Sequence, residues 1–215
     1  MLEREIVSGH VLTVGHNGRA CTHPLDFSIR AGERVAVVGR NGMGKTTFLR
    51  TLAGQLPPIS GKCTVIGNEL GTLAQHMLCR AGVSFVGDDR GVFLSLTVRE
   101  HIELALGLSY TKERGHKVTF LVPQVGARPD VRVMNLSGGE RQILGIGCAL
   151  SRHPKLLIID ELTQGVESIA RSELLRHLIT ACTSNGLSII FTDDQIEVVK
   201  YLANRQIDLE LITHQ

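Results

Sequence analysis

The sequence predicts an α/β fold, a mainly parallel sheet flanked by helices, and three observations predict it. Short apolar runs alternate with segments of helical period along the 215 residues, with no tandem repeat or low-complexity tract. The run Val35-Ala36-Val37-Val38 leads directly into a glycine-rich loop and then a helical segment. A second run, Lys155-Leu156-Leu157-Ile158-Ile159, ends in Asp160-Glu161, the pattern of a buried parallel strand that delivers acids to the carboxyl edge of a sheet.

In chain order, strand-like runs fall near 34–39, 62–66, 83–86, 156–160 and 188–192, and helical patterns near 46–52, 98–106, 139–150, 170–183 and 196–202. Between about 107 and 133 polar and turn residues dominate, with Pro123 and Pro129, which predicts a small helical insertion. Ser137 stands as a natural N-cap for the helix that follows.

Gly39-Arg40-Asn41-Gly42-Met43-Gly44-Lys45-Thr46-Thr47 fits the pattern G-x-x-x-x-G-K-S/T. The glycines permit a tight turn whose backbone N–H groups converge on an anion. Lys45 adds charge near the β- and γ-phosphates, and the Thr46 hydroxyl suits Mg²⁺. The helix at 46–52 points its N-terminal dipole at the same phosphates. Asp160 suits Mg²⁺ and Glu161 suits a base. Leu136-Ser137-Gly138-Gly139-Glu140-Arg141-Gln142 supplies a second loop in which two glycines let backbone amides approach an anion, or else an ordinary helix-capping turn.

Composition narrows the function. A net charge of +2 and the lack of a basic cluster interleaved with aromatics give no electrostatic case for nucleic acid or an anionic membrane surface. No apolar run reaches the length of a membrane span, and Met1-Leu2-Glu3-Arg4-Glu5 lacks the apolar core of a signal peptide, so a cytosolic chain is expected. Cys21, Cys63, Cys79, Cys148 and Cys182 are odd in number, scattered and never in a C-x-x-C pair, which predicts reduced, mostly buried thiols.

Together these motifs resemble the nucleotide-binding subunit of ABC transporters, in which LSGG is the signature loop. Within that family the sequence is most similar to the ATPases that drive uptake of branched-chain amino acids and urea. That likeness is carried by Gly87-Asp88-Asp89-Arg90-Gly91-Val92-Phe93, Leu96-Thr97-Val98-Arg99-Glu100, Leu121-Val122-Pro123 and the stretch from Leu136 to Ser151.

The resemblance implies one ABC-type ATPase domain over 1–215: a P-loop NTPase core, an N-terminal antiparallel β portion, and a small helical subdomain carrying the LSGG loop within about 88–152. It implies two ligands, ATP and Mg²⁺, and two partners, a membrane permease subunit and a second ATPase subunit, identical or paralogous, set head to tail. Ser137, Gly138, Gly139 and Gln142 would then meet ATP held by the partner subunit. Nucleic acid and direct contact with the transported substrate are not expected. Placement would be cytoplasmic, peripheral at the inner face of the cell membrane, and no regulatory C-terminal domain is expected beyond Gln215.

Departures from the family pattern cluster at the γ-phosphate. Asp88 replaces the usual Gln and either holds Mg²⁺ through water or is a solvated turn acid. Asp193 and Asp194 follow Ile189-Ile190-Phe191-Thr192 where the family usually presents His; His177 and His214 lie in the wrong segments. A carboxylate beside a phosphate is repulsive by several kcal/mol at about 4 Å and an effective dielectric of about 20 unless a cation or proton intervenes, which predicts slow hydrolysis. His16, in Val14-Gly15-His16-Asn17-Gly18, is either the ring that stacks on adenine or an exposed turn histidine. Leu162 replaces a Pro, and Glu167-Ser168 either belongs to the inter-subunit loop Gly165-Val166-Glu167-Ser168 or caps the next helix. Two other functions stay open: an ATP-gated dimerising scaffold with negligible hydrolysis, and an ABC-type ATPase acting outside transport.

Overall fold

The computed structural model describes residues 4–71, 75–107 and 123–210. Leu121, Val122, His214 and most of the insertion expected over 107–133 lie outside the described residues. The strands are β1 (Glu5–Thr13), β2 (Gly15–His16), β3 (Arg19–Ala20), β4 (Leu25–Arg30), β5 (Arg34–Val38), β6 (Ser60–Val65), β7 (Asn68–Glu69), β8 (Val83–Val86), β9 (Leu156–Ile159), β10 (Ser188–Phe191) and β11 (Arg205–Asp208). The helices are α1 (Lys45–Leu52), α2 (Gln75–Ala81), α3 (Val98–Leu106), α4 (Pro123–Gly126), α5 (Gly138–Leu150), α6 (Ser168–Asn185) and α7 (Ile196–Leu202).

A parallel sheet in the order β11-β5-β10-β9-β8 forms the centre. Every residue of β9 and β10 is buried, as expected for strands covered on both faces. Because side chains alternate along a strand, β9 feeds two cores. Leu157 and Ile159 point to a cluster that includes Val98, Ile102, Ile143, Ile146, Leu174, Leu178 and Val199. Leu156 and Ile158 point to the opposite cluster, which holds Phe48, Leu49 and Leu52 of α1. Each such aliphatic side chain removed from water contributes about 1.5–3 kcal/mol.

The second cluster is closed by an antiparallel sheet in the order β4-β1-β6-β7, whose Val7, Leu25, Ile29, Cys63 and Val65 face it. Phe27 of β4 meets Phe48 of α1 edge-on, with ring centroids 5.3 Å apart. The parallel core strands and major helices expected from sequence are present, and α6 extends two residues beyond the predicted span at each end. Helix α2 was not foreseen, nor were the bounds of β1, β4 and β11.

Buried Cys63, Cys148 and Cys182 are free thiols, and Cys21 and Cys79 are free and exposed. Burial pushes the Cys63 and Cys148 thiols up to about 12 and Cys182 to about 11, so none of the three is a thiolate at neutral pH.

Candidate nucleotide site

Parallel register sets the site. Phe191 of β10 lies beside Ile159 of β9 and Ala36 of β5, and Val86 of β8 also aligns with Ile159. The residues just past those strand ends therefore meet at one edge: the loop 39–44 after β5, Gly87-Asp88 after β8, Asp160-Glu161 after β9 and Thr192-Asp193-Asp194 after β10. This is where open α/β sheets place ligands.

After β5, Gly39, Gly42 and Gly44 adopt φ of +147°, +85° and +84°, conformations that a residue with a Cβ rarely takes. Arg40, Asn41 and Gly42 are exposed and Met43 is half-buried. Gly44 is the N-cap of α1, and no side chain caps that helix end. Its first-turn amides, from Lys45, Thr46 and Thr47, thus face the loop rather than a capping residue. Lys45 Nζ donates to the Gly39 carbonyl at 2.7 Å and lies 3.3 Å from Asn41 Oδ1, folding its charge over the loop. The hairpin β2–β3 packs beside α1, with Cys21 Cβ only 2.9 Å from where a Cβ on Gly44 would stand. His16 is on this hairpin, exposed, and pairs with Arg19 across the Asn17-Gly18 turn.

Asp160 is 4 % exposed, and its Oδ1 accepts from Thr192 Oγ1 at 2.6 Å. Glu161 is exposed and held at φ +50°. Its amide donates to Thr192 Oγ1 at 2.8 Å, while its carbonyl accepts from Gln142 Nε2 at 3.1 Å. Partial loss of hydration raises the Glu161 carboxyl above its ordinary value. The negative charges of Asp160, Asp194 and Asp88 add to the rise, and Lys45 opposes it. Charged groups from four strand ends therefore act on Glu161.

Asp88 is an exposed turn acid with a partner that the sequence did not reveal. Arg50 of α1 donates to its Oδ1 at 2.6 Å and holds its carboxyl below the usual range. It is an ion-paired turn acid within the field of Glu161.

Asp193 and Asp194 separate into two roles. Asp193 Oδ2 accepts from the Thr163 amide at 2.8 Å and the Thr163 hydroxyl at 2.7 Å, and Oδ1 accepts from the Gln195 amide at 2.8 Å. Its carboxylate fastens the loop after β10 to the loop after β9, while the half-buried residue still lines the cleft beside Glu161. Asp194 is exposed, adds to the field at Glu161, and shares with Glu161 a small cleft also lined by Gln164, Gly165, Asp193 and Gln195.

At α5, Ser137 is the expected N-cap: its hydroxyl accepts from the Glu140 amide at 3.1 Å and its amide donates to Glu140 Oε2 at 2.7 Å. Ser137 is exposed and Gly138 half-buried. Gly139 is buried against a backbone, since a Cβ there would lie 2.1 Å from the Gly165 carbonyl oxygen. Gln142 is 2 % exposed and is taken up by the carbonyls of Glu161 and Leu162, at 3.1 and 3.3 Å. This corrects its reading as a nucleotide contact. Glu167 occupies the N-cap position of α6 without a side-chain cap bond. Arg90, held at φ +58°, reaches Gln164 Oε1 at 3.1 Å, and its own carbonyl lies where a Cβ on Gly145 of α5 would clash.

Sequence reasoning missed Thr192, Gln142 as a brace, and the Arg50–Asp88 pair. The helical stripe was the available signal for Gln142: it falls on one face with Gly139, Ile143 and Ile146 and so had to be buried.

Comparison with known proteins agrees with this geometry. The profile of the ABC transporter family matches residues 22–164. The chain is 33 % identical over 193 residues to the high-affinity branched-chain amino acid transport ATP-binding protein BraG of Pseudomonas aeruginosa, covering 87 % of this chain and 82 % of that one. It is 32 % identical to the Nod factor export ATP-binding protein I of Neorhizobium galegae, covering 93 % of this chain but 58 % of that protein. The fold superposes on the post-hydrolysis dimer of the ATP-binding cassette MJ0796, bound to ADP and Pi, with a TM-score of 0.85, 21 % identity and coverage of 95 % and 94 %. With Lys45, Asp160 and Glu161 gathered at one sheet edge and a capped LSGG loop beginning α5, the chain belongs to the ABC transporter family as an ATP-binding subunit that hydrolyses ATP.

Proposed function

We propose that the chain is the ATPase subunit of an importer, in which ATP closes a head-to-tail dimer and hydrolysis reopens it. The observation that carries this reading is the convergence of Lys45, Asp160, Glu161 and Asp194 at the carboxyl edge of β5, β9 and β10. In the proposed cycle Lys45 and the amides of residues 41–47 bind the phosphates. Thr46 and Asp160 hold Mg²⁺, and the donor set fits: a hydroxyl and a carboxylate are hard oxygen ligands, and this ion is usually held by one or two such groups together with substrate phosphates. Its charge offsets that of the phosphates. Glu161 orients the attacking water and accepts its proton as the oxygen bonds to the γ-phosphorus and the β–γ bridge breaks.

Exposed Ser137 and half-buried Gly138 face the nucleotide of a second subunit, identical or paralogous. Residues 1–215 act as one ATPase domain, with about 88–152 as its helical subdomain. In this reading His16, exposed on the hairpin beside α1, stacks on the base.

Transport places the chain at the inner face of the membrane, bound to a permease subunit. Among the described residues no helix is long and apolar enough to cross a membrane itself. A surface for the permease is available where Phe93, 57 % exposed, and Leu104 line a common cleft and exposed Leu94 and Met134 adjoin it. Branched-chain amino acids or urea are the proposed cargo, on the likeness to BraG. The likeness to an export protein makes direction the point to decide. The experiment is purification of the tagged chain from its native host with assay of ATP turnover. Recovery of a polytopic membrane protein and a solute-binding protein, with turnover stimulated by cargo, supports import. Recovery of nucleic acid or ribosomes, or of no membrane protein, contradicts it.

A further inference from the structure

We propose that Thr192 is a positioning residue for hydrolysis, its one hydroxyl setting both the carboxylate of Asp160 and the backbone of Glu161. This rests on the reading of Asp160 as metal ligand and Glu161 as base.

Thr192 is 1 % exposed and follows the last residue of β10, the strand between β5 and β9. It engages four consecutive residues at the end of β9. Its amide donates to the Ile159 carbonyl at 3.1 Å and its carbonyl accepts from the Leu162 amide at 2.9 Å. Between these, Oγ1 lies 2.6 Å from Asp160 Oδ1 and 2.8 Å from the Glu161 amide nitrogen. The direction of this small network is fixed by chemistry. An amide can only donate, so the hydroxyl accepts from Glu161 and its single proton goes to Asp160.

Two consequences follow. Asp160 Oδ1 is committed, which holds the carboxylate in one orientation and leaves its second oxygen for a cation. Glu161, a residue with a Cβ held at φ +50°, is kept in the left-handed region by the bond to its amide on one side and by Gln142 on its carbonyl on the other. Without the hydroxyl the peptide between Asp160 and Glu161 is free to turn, and the Glu161 side chain leaves the position from which it meets water. Any residue that completes the sheet can supply the backbone bonds of position 192. Only a hydroxyl can supply the other two.

The test compares Thr192→Val, which keeps the shape and removes the hydroxyl, with Thr192→Ser, which keeps the hydroxyl, and runs Glu161→Gln beside them in the full chain. The expected result for Val is a kcat lowered by about tenfold or more with KM for ATP, measured at saturating Mg²⁺, within about threefold, because the phosphate loop that binds the nucleotide is untouched. Ser should recover most of that loss. Mn²⁺ used as the probe ion in the presence of a non-hydrolysable ATP analogue, read by electron paramagnetic resonance, should bind several-fold more weakly to Val and not to Ser.

Val turning over like the parent while Glu161→Gln is inactive overturns the proposal, as does Ser being as slow as Val. Glu161→Gln turning over like the parent removes the underlying reading instead. If Val fails to fold, Thr192→Cys, close in size with a weak donor, replaces it: a kcat equal to the parent's overturns the proposal, and one well below that of Ser supports it.

Discussion

Gln142 reaches from α5 to the carbonyl of Glu161, 3.1 Å away, so the helix that begins at the Ser137-Gly138-Gly139 loop is tied by a side chain to the acid at the end of β9. The loop that would meet one nucleotide and the base that would act on another are thereby parts of one rigid unit. Gly139, packed beneath the Gly165 carbonyl, closes the same contact from its other end.

Gln142→Leu keeps the volume and removes both bonds. It should lower stability by about 1–2 kcal/mol, since the buried Leu162 carbonyl loses its donor while the Glu161 carbonyl keeps the bond from the Gln164 amide, and slow ATP turnover while leaving ATP affinity unchanged. Urea unfolding, steady-state kinetics and calorimetry measure the three quantities. Weaker ATP binding with normal turnover would instead return Gln142 to the nucleotide-contacting role read from sequence.

Asp193 and Asp194 should respond oppositely to histidine. Asp193→His removes three hydrogen bonds to Thr163 and Gln195 and should lower stability by about 2 kcal/mol or more, with slower turnover. Asp194→His removes a negative charge from the field at Glu161 and adds a donor, and should raise turnover at saturating ATP and Mg²⁺. A slower Asp194→His enzyme would make this acid part of the working arrangement.

His101 gives a pH dependence. It is 3 % exposed, packs against Phe93, lies 3.6 Å from Cys148 Sγ through Nδ1, and burial lowers its pKa below the ordinary 6.5. The unfolded chain therefore binds a proton at this site more readily than the folded one, so stability is full above about pH 6.5 and falls as pH drops below it, by at most about 1.4 kcal/mol per pH unit. Chemical denaturation at pH 7.5 and 5.5 should show a smaller acid loss for His101→Leu than for the parent. Equal losses would mean that His101 does not titrate differently on folding.

What could be read in the sequence was what local pattern encodes. The strand ending at Val38, the glycines before Lys45, and the apolar run before Asp160 are contiguous signals, and each appears where expected. Ser137 as N-cap was legible for the same reason, since its partner Glu140 is three residues away. The pairs that were missed join residues distant in the chain. Thr192 meets Asp160 across 32 positions, and Arg50 meets Asp88 across 38. Periodicity carries no record of such partners. Asp193 and Asp194 are adjacent and chemically identical, and only the turn after β10 makes one a fastener and leaves the other exposed.

The measurement that bears most directly on this site is ATP turnover and sedimentation of Glu161→Gln beside the parent. The substitution preserves shape while removing the acceptor for water's proton. ATP and Mg²⁺ binding should persist, turnover should nearly vanish, and sedimentation with ATP should show a trapped dimer. Hydrolysis at the parental rate would contradict the assignment of Glu161 as the base.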